Sequence, residues 1–200
     1  MGGGKRKQVL SIIIPVREPE PYLGFLIKEI DSVLNQNWLF EILVQREDGL
    51  TNAVVQGVKK SRGDIILVAD SDGSHPPKYI PQMLEKFGEY NIVIGIKSVD
   101  ERSFFRQLVT KGFTFIAGII LGIKIHDLSG FVLARKDLFL VVKPSNDFKF
   151  ILPLIFLNRG VNICEIPIVH PDRSGGKSKA DWKQAFKILK LIFKLRLGLY

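Results

Sequence analysis

Asp70 and Asp72 are the two residues of this chain whose type and spacing point most directly to chemistry. They close the run Asp70-Ser-Asp72, just after the apolar, β-branched segment 65–69. Such a segment reads as a strand buried on both faces of a parallel sheet. Two carboxylates two residues apart on extended chain point the same way, so both can reach one divalent cation or its phosphate ligand. Gly73 allows a sharp turn, and Ser74 followed by Pro76 and Pro77 reads as a helix start. Ligands of open α/β sheets bind outside the carboxyl ends of strands, which is where this acidic pair falls. The plainer alternative is a pair of solvated turn residues beside a capping serine. A buried strand before the pair and a proline-started helix after it favour a metal–phosphate site.

The elements around the pair alternate. Residues 9–16 read as a first strand, and residues 19–35 carry apolar side chains at helical spacing. A short strand over 41–44 follows, then a helix over 49–61, the acidic strand and its helix to about residue 87, and a strand over 91–96. This order argues for a doubly wound, mostly parallel α/β sheet. Further on, the pattern predicts a helix over 103–121, a turn and short strand over 127–134, a helix over 148–157 bent at Pro153, and a strand over 161–169. Residues 172–180 are glycine-rich, polar and basic, which suggests a mobile loop. Arg173 on such a loop, in a chain with a diacid, suggests phosphate handling.

The net charge of +9 is uneven. Lys5, Arg6 and Lys7 give residues 1–10 a charge of +3. Eight basic side chains against Asp181 give 173–200 a charge of +7, leaving −1 on the body. A nucleic-acid binder would more often carry its basic residues on the body with aromatics interleaved. No apolar stretch reaches the ~20 residues of a spanning helix. The basic start, 1–8, leads into a strand interrupted by Pro15, which does not read as a signal peptide. Residues 181–200 read as a basic amphipathic helix, with Lys183, Lys187, Lys190 and Lys194 in one arc. Such a helix fits an anionic membrane interface, or alternatively the core or a second subunit. Cys164, the single cysteine, excludes an internal disulfide and suggests a reducing compartment. It sits in a strand and reads as a buried thiol rather than a nucleophile.

Several blocks in order resemble the GT-A-fold inverting nucleotide-sugar glycosyltransferases, and within them the dolichol-phosphate mannose synthases. They are 11–15, 49–53 with Gly57, 70–77, 105–112, 129–131 and 173–179. The resemblance covers residues 9–180 and implies a GT-A domain there, with 181–200 as an interfacial helix. It implies transfer of a hexose from a nucleotide sugar to a polyprenyl phosphate, on the cytoplasmic face of a membrane, with Mg²⁺ or Mn²⁺. Asp70 and Asp72 would hold the metal, with Ser74 at the position of a metal-binding glutamine. Arg173 and Lys179 would close over the donor phosphates, Arg173 contributing to catalysis. Lys97, Arg106 and Thr110 would hold the acceptor phosphate. That phosphate, with a second pKa of about 6, is already mostly anionic and needs no general base. His75 is then structural.

The chain departs from the resemblance in one place that matters. In the family, an acidic base-binding loop and a further strand follow the second strand. Here 41–44 runs through Gln45, Arg46, Glu47 and Asp48 straight to Gly49. Pro19 also stands where the first-strand loop usually carries glutamate. A degenerate relative that binds membrane or a partner without turnover is therefore the main rival. A nucleotidyltransferase would be expected to have a glycine-bearing phosphate loop near the first strand, and residues 15–21 contain no glycine.

Overall fold

A computed structural model describes residues 8–16, 20–34, 37–98, 104–123, 126–144, 150–158, 160–169 and 182–200, with the side chains at 97, 104–111, 113 and 182–185 left aside. Lys97, Arg106 and Thr110 are thus located by backbone alone, and Arg173 and Lys179 lie outside the described residues.

Six strands form one sheet: β1 (Val9–Pro15), β2 (Leu39–Gln45), β3 (Ile65–Val68), β4 (Ile92–Lys97), β5 (Val132–Arg135) and β6 (Ile163–Ile168), in the order β2-β1-β3-β5-β4-β6. Only β5 runs antiparallel, to both β3 and β4. The other pairings are parallel. Hence β1, β2, β3, β4 and β6 all end at the same edge of the sheet. The mostly parallel α/β fold read from the sequence is the fold observed.

Side-chain alternation sends each strand into two cores. Ile13, Ile66, Val68, Ile92 and Ile94 enter one layer with α2 (Leu50–Lys60), α4 (Phe104–Leu121), α6 (Ile151–Leu157) and α7 (Trp182–Arg196). Leu10, Ile12, Ile14, Ile65 and Leu67 enter the other with α1 (Leu23–Leu34) and α3 (Ile80–Lys86). Strands buried on both faces cannot show a polar face, which explains the near-continuous apolar runs.

Three local expectations are corrected. A four-residue helix, α5 (Lys136–Phe139), follows β5 and was not read from the sequence. Pro153 falls in the first turn of the short helix α6, where its missing N–H has no intrahelical partner to lose, so nothing requires a bend there. Cys164 is half-buried rather than buried.

α7 divides its apolar residues between two environments. Leu191, Ile192 and Leu195 are buried in the core. Phe186 is 73% exposed, and Phe193 and Leu197 also face solvent. Lys187, Lys190, Lys194 and Arg196 are exposed on the same helix.

Candidate functional site: an acidic cleft at the carboxyl edge of the sheet

β3 stops at Val68, and Ser71 and Asp72 form a turn just after Asp70. The expectation that both aspartates sit on extended chain is therefore corrected at Asp72, and what aims the pair is local hydrogen bonding. Ser74 donates its backbone N–H to Asp72 Oδ1 at 3.0 Å. Asp70 donates its backbone N–H to His75 Nδ1 at 2.9 Å. His75 is buried and stacks on Phe131, with ring centroids 4.9 Å apart. Gly73 takes φ 77, a conformation that disfavours any side chain, and its α-carbon lies against the ring of Tyr22.

Ser74 does not cap the following helix. A 3₁₀ turn begins three residues later, at Pro77, after Pro76 with no side-chain cap. The prolines of the expected helix start are in place, but the serine serves the acidic turn instead, and it is itself buried.

The block 129–131 comes to the same place. Ser129 Oγ accepts the N–H of Phe131, which makes a tight turn. A β-carbon on Gly130 would lie 3.7 Å from Asp70 Oδ1, an ordinary contact distance, so this turn lies beside the aspartate.

Asp70 and Asp72 line a cleft of about 220 Å³ with Glu20, Glu47, Gly49 and Leu50 among its other walls. None of its lining residues among those described is basic. Glu20 follows β1, and Glu47 follows β2. These two were not singled out from the sequence, although acidic residues just beyond parallel strand ends were a readable signal. Glu20 stands one position beyond Pro19, so the cleft keeps a carboxylate where the sequence comparison found a proline.

The remaining expected residues are dispersed or undescribed. Lys97 ends β4, at the edge that carries the cleft, opposite Ile168 of β6. Arg106 and Thr110 lie in the first half of α4.

A group of three or more His, Cys, Asp or Glu able to hold a metal is absent among the described residues. Two carboxylates on an open cleft still suit a hard cation of the Mg²⁺ type. Such an ion usually takes one or two carboxylates and fills its other positions with water and substrate phosphate.

A mostly parallel sheet carrying an Asp-Ser-Asp turn at its carboxyl edge, with a cleft across β1, β2 and β3, is the architecture of a GT-A glycosyltransferase. The comparisons agree. The family described as "Glycosyl transferase family 2" matches residues 26–140, more than half of the chain, and the chain belongs to that family. It is 29% identical to a dolichol-phosphate mannosyltransferase of Pyrococcus furiosus over 93% of this chain and 63% of the relative. It is 25% identical to an undecaprenyl-phosphate 4-deoxy-4-formamido-L-arabinose transferase of Pseudomonas aeruginosa over 77% of this chain and 45% of that one. The chain thus spans less than two thirds of either protein. In three dimensions it resembles glucosyl-3-phosphoglycerate synthase from Mycobacterium tuberculosis, solved with Mn²⁺, UDP-glucose and phosphoglyceric acid. The TM-score is 0.72 at 16% identity, covering 96% of this chain and 80% of the other, a likeness of fold.

Proposed function

We propose that this chain is a glycosyltransferase that moves a hexose from a nucleotide sugar to a polyprenyl phosphate at a membrane surface, with Mg²⁺ or Mn²⁺ bound. The observation that carries the reading is the cleft itself. Among the described residues its titratable lining is Glu20, Glu47, Asp70 and Asp72, all acidic. A sugar-nucleotide diphosphate cannot settle among carboxylates without positive charge to accompany it. A divalent ion held by Asp70 and Asp72, with Ser74 close behind, would supply that charge and stabilise the diphosphate leaving group.

The chain's own residues would do the rest. Arg173 and Lys179 would close on the donor phosphates, and Lys97, Arg106 and Thr110 would orient the acceptor phosphate. A phosphate oxygen is nucleophilic as it stands, so no base is required. His75 agrees with this, because its Nδ1 is already the acceptor for the Asp70 N–H. The names of the two curated relatives, both transferases to polyprenyl phosphates, support the acceptor class. Peripheral attachment to the cytoplasmic face of a membrane fits α7, and among the described residues no helix is long and apolar enough to cross a bilayer.

A second reading has one specific observation behind it. Only Arg46, Glu47 and Asp48 separate β2 from Gly49, the residue before α2, so the family's base-binding segment has no counterpart there. A relative that binds without turnover would look the same. The deciding experiment offers several radiolabelled nucleotide sugars to the protein with polyprenyl phosphate in vesicles. Label in the lipid fraction is the expected result. Donor binding with no transfer to lipid from any sugar would leave the second reading.

A further inference from the structure

Among the described residues β2 pairs with β1 alone and is an end strand of the sheet, its outer edge open. Gln45 accepts the Val16 N–H through its carbonyl, so Gln45 turns its backbone polar groups toward β1. Leu43, Glu41 and Leu39 do the same by the period of two, while Phe40, Ile42 and Val44 turn theirs outward. Among the described residues no strand pairs with that outward row, and the one side-chain bond to it is from Gln45 Nε2 to the Val44 carbonyl at 3.2 Å.

The other end strand is protected. Ile168 accepts from Ser98, which places Pro167 in the outward row of β6, where it offers no N–H. Val169, just beyond, is bonded to Tyr79 Oη. β2 has no such device: no proline, no lysine, and its single charge, Glu41, is held by Ser11 and Arg62. Seven apolar-rich residues with an open hydrogen-bonding edge form a template for another strand.

The edge is also self-complementary. An antiparallel copy centred on Ile42 pairs Ile42 with its own equivalent through the outward N–H and C=O groups. It places Phe40 opposite Val44, an aromatic–β-branched pair, and Glu41 opposite Leu43. Just beyond the strand, Arg46 falls opposite Trp38, so no like charges meet. Phe40, Ile42 and Val44 are already packed on the α1 layer, and the pairing would extend that apolar face across the junction.

We propose that β2 pairs antiparallel with β2 of a second copy of this chain, joining the two sheets into one across a two-fold axis at Ile42. The pairing also brings the start of the partner's strand beside Arg46 and Glu47, at the open wall of the acidic cleft.

The test is sedimentation equilibrium of the full chain in detergent-free buffer, with two variants. Ile42→Pro removes the outward N–H along with the side chain's packing on the α1 layer, and is expected to weaken the dimer by on the order of tenfold or more, with a far-UV spectrum like that of wild type showing that the sheet is kept. Ile42→Cys in a Cys164→Ser background is expected to cross-link with a short bis-maleimide, since paired residues there lie about 5.5 Å apart. If Ile42→Pro does not fold, the cross-link decides. A wild-type chain that is monomeric at tens of micromolar overturns the proposal. So does a dimer that persists in Ile42→Pro or fails to cross-link at position 42, since either result puts the contact elsewhere, such as on the exposed phenylalanines of α4 and α7. Neither outcome bears on transferase activity, which is measured separately.

Discussion

The N–H of Asp70 donates to Nδ1 of His75, five residues further on, and Nε2 of the same ring lies 3.8 Å from Asp70 Oδ2. One imidazole thus holds the backbone of Asp70 and stands close to its carboxylate. In the neutral ring Nδ1 must be the unprotonated nitrogen, which leaves the proton on Nε2, facing the carboxylate. Phe131 stacks on the ring and fixes its plane.

That geometry makes His75→Ala costly. The Asp70 N–H loses its partner in a largely buried place, and about 1–3 kcal/mol of stability should go with it. His75→Asn keeps an acceptor oxygen close to the position of Nδ1 and should recover part of the loss. Urea denaturation of the three proteins checks the order. Equal stabilities would mean that the turn holds itself without the ring.

Asp72→Asn should abolish transfer while leaving the fold intact, because the side chain lines the cleft and accepts the turn bond from the Ser74 N–H. The amide oxygen can keep that bond, but the charge that attracts a divalent ion is lost. Transfer by the wild-type chain should likewise stop in excess chelator and return with Mg²⁺ or Mn²⁺. Undiminished turnover in chelator would remove the metal from the mechanism.

Glu41 gives a pH-dependent prediction on the opposite edge of the sheet. Burial pushes its carboxyl up, but the hydroxyl of Ser11, the Arg62 N–H and the Arg62 guanidinium together outweigh that and hold it below the usual range. A carboxylate depressed in the folded state adds stability above its unfolded pKa, and the gain is lost as pH falls through the folded value. Glu41→Gln should therefore be less stable than wild type at neutral pH. The two unfolding curves should converge in acid, below the ordinary glutamate range. A gap that is constant with pH would assign the effect to packing alone.

The sheet was legible in the sequence because its central parallel strands are buried on both faces and so read as apolar runs, as in 65–68. The acidic pair was legible from residue type and position. Its geometry was not, since the turn at Asp72 and the hold on Asp70 depend on bonds from Ser74 and His75 that residue type alone does not show. Glu20 and Glu47 were overlooked for a similar reason. Each is an ordinary surface acid until β1 and β2 are paired in parallel and their ends are brought beside β3. The role of Ser74 was misread because a serine before two prolines suits a helix cap and a turn equally well. α7 exceeded what periodicity could decide, since its apolar arc is wide enough to serve the core and still leave Phe186 and Phe193 outside.

That division on α7 leads to the remaining prediction, that the chain binds anionic vesicles through this helix together with α4. The two helices pack against each other. Phe115 and Ile119 of α4 are about two-thirds exposed, at 70% and 68%, so α7 is not the sole source of accessible apolar surface. The exposed Lys187, Lys190, Lys194 and Arg196 supply attraction of about 1 kcal/mol each near an anionic surface, on the order of a thousandfold in partitioning if all four engage. Insertion of Phe186 and Phe193 adds a contribution that salt does not screen. Co-sedimentation with vesicles should therefore fall steeply, but not to zero, across a salt series. Lys187→Glu with Lys190→Glu should remove most of the salt-sensitive part, and Phe186→Ser should lower the part that survives high salt. The core contacts of Leu191, Ile192 and Leu195 are untouched by these changes, so the variants should remain folded. Binding to anionic vesicles that is indifferent to all three substitutions would take the membrane role away from α7 and leave its exposed phenylalanines for a protein contact.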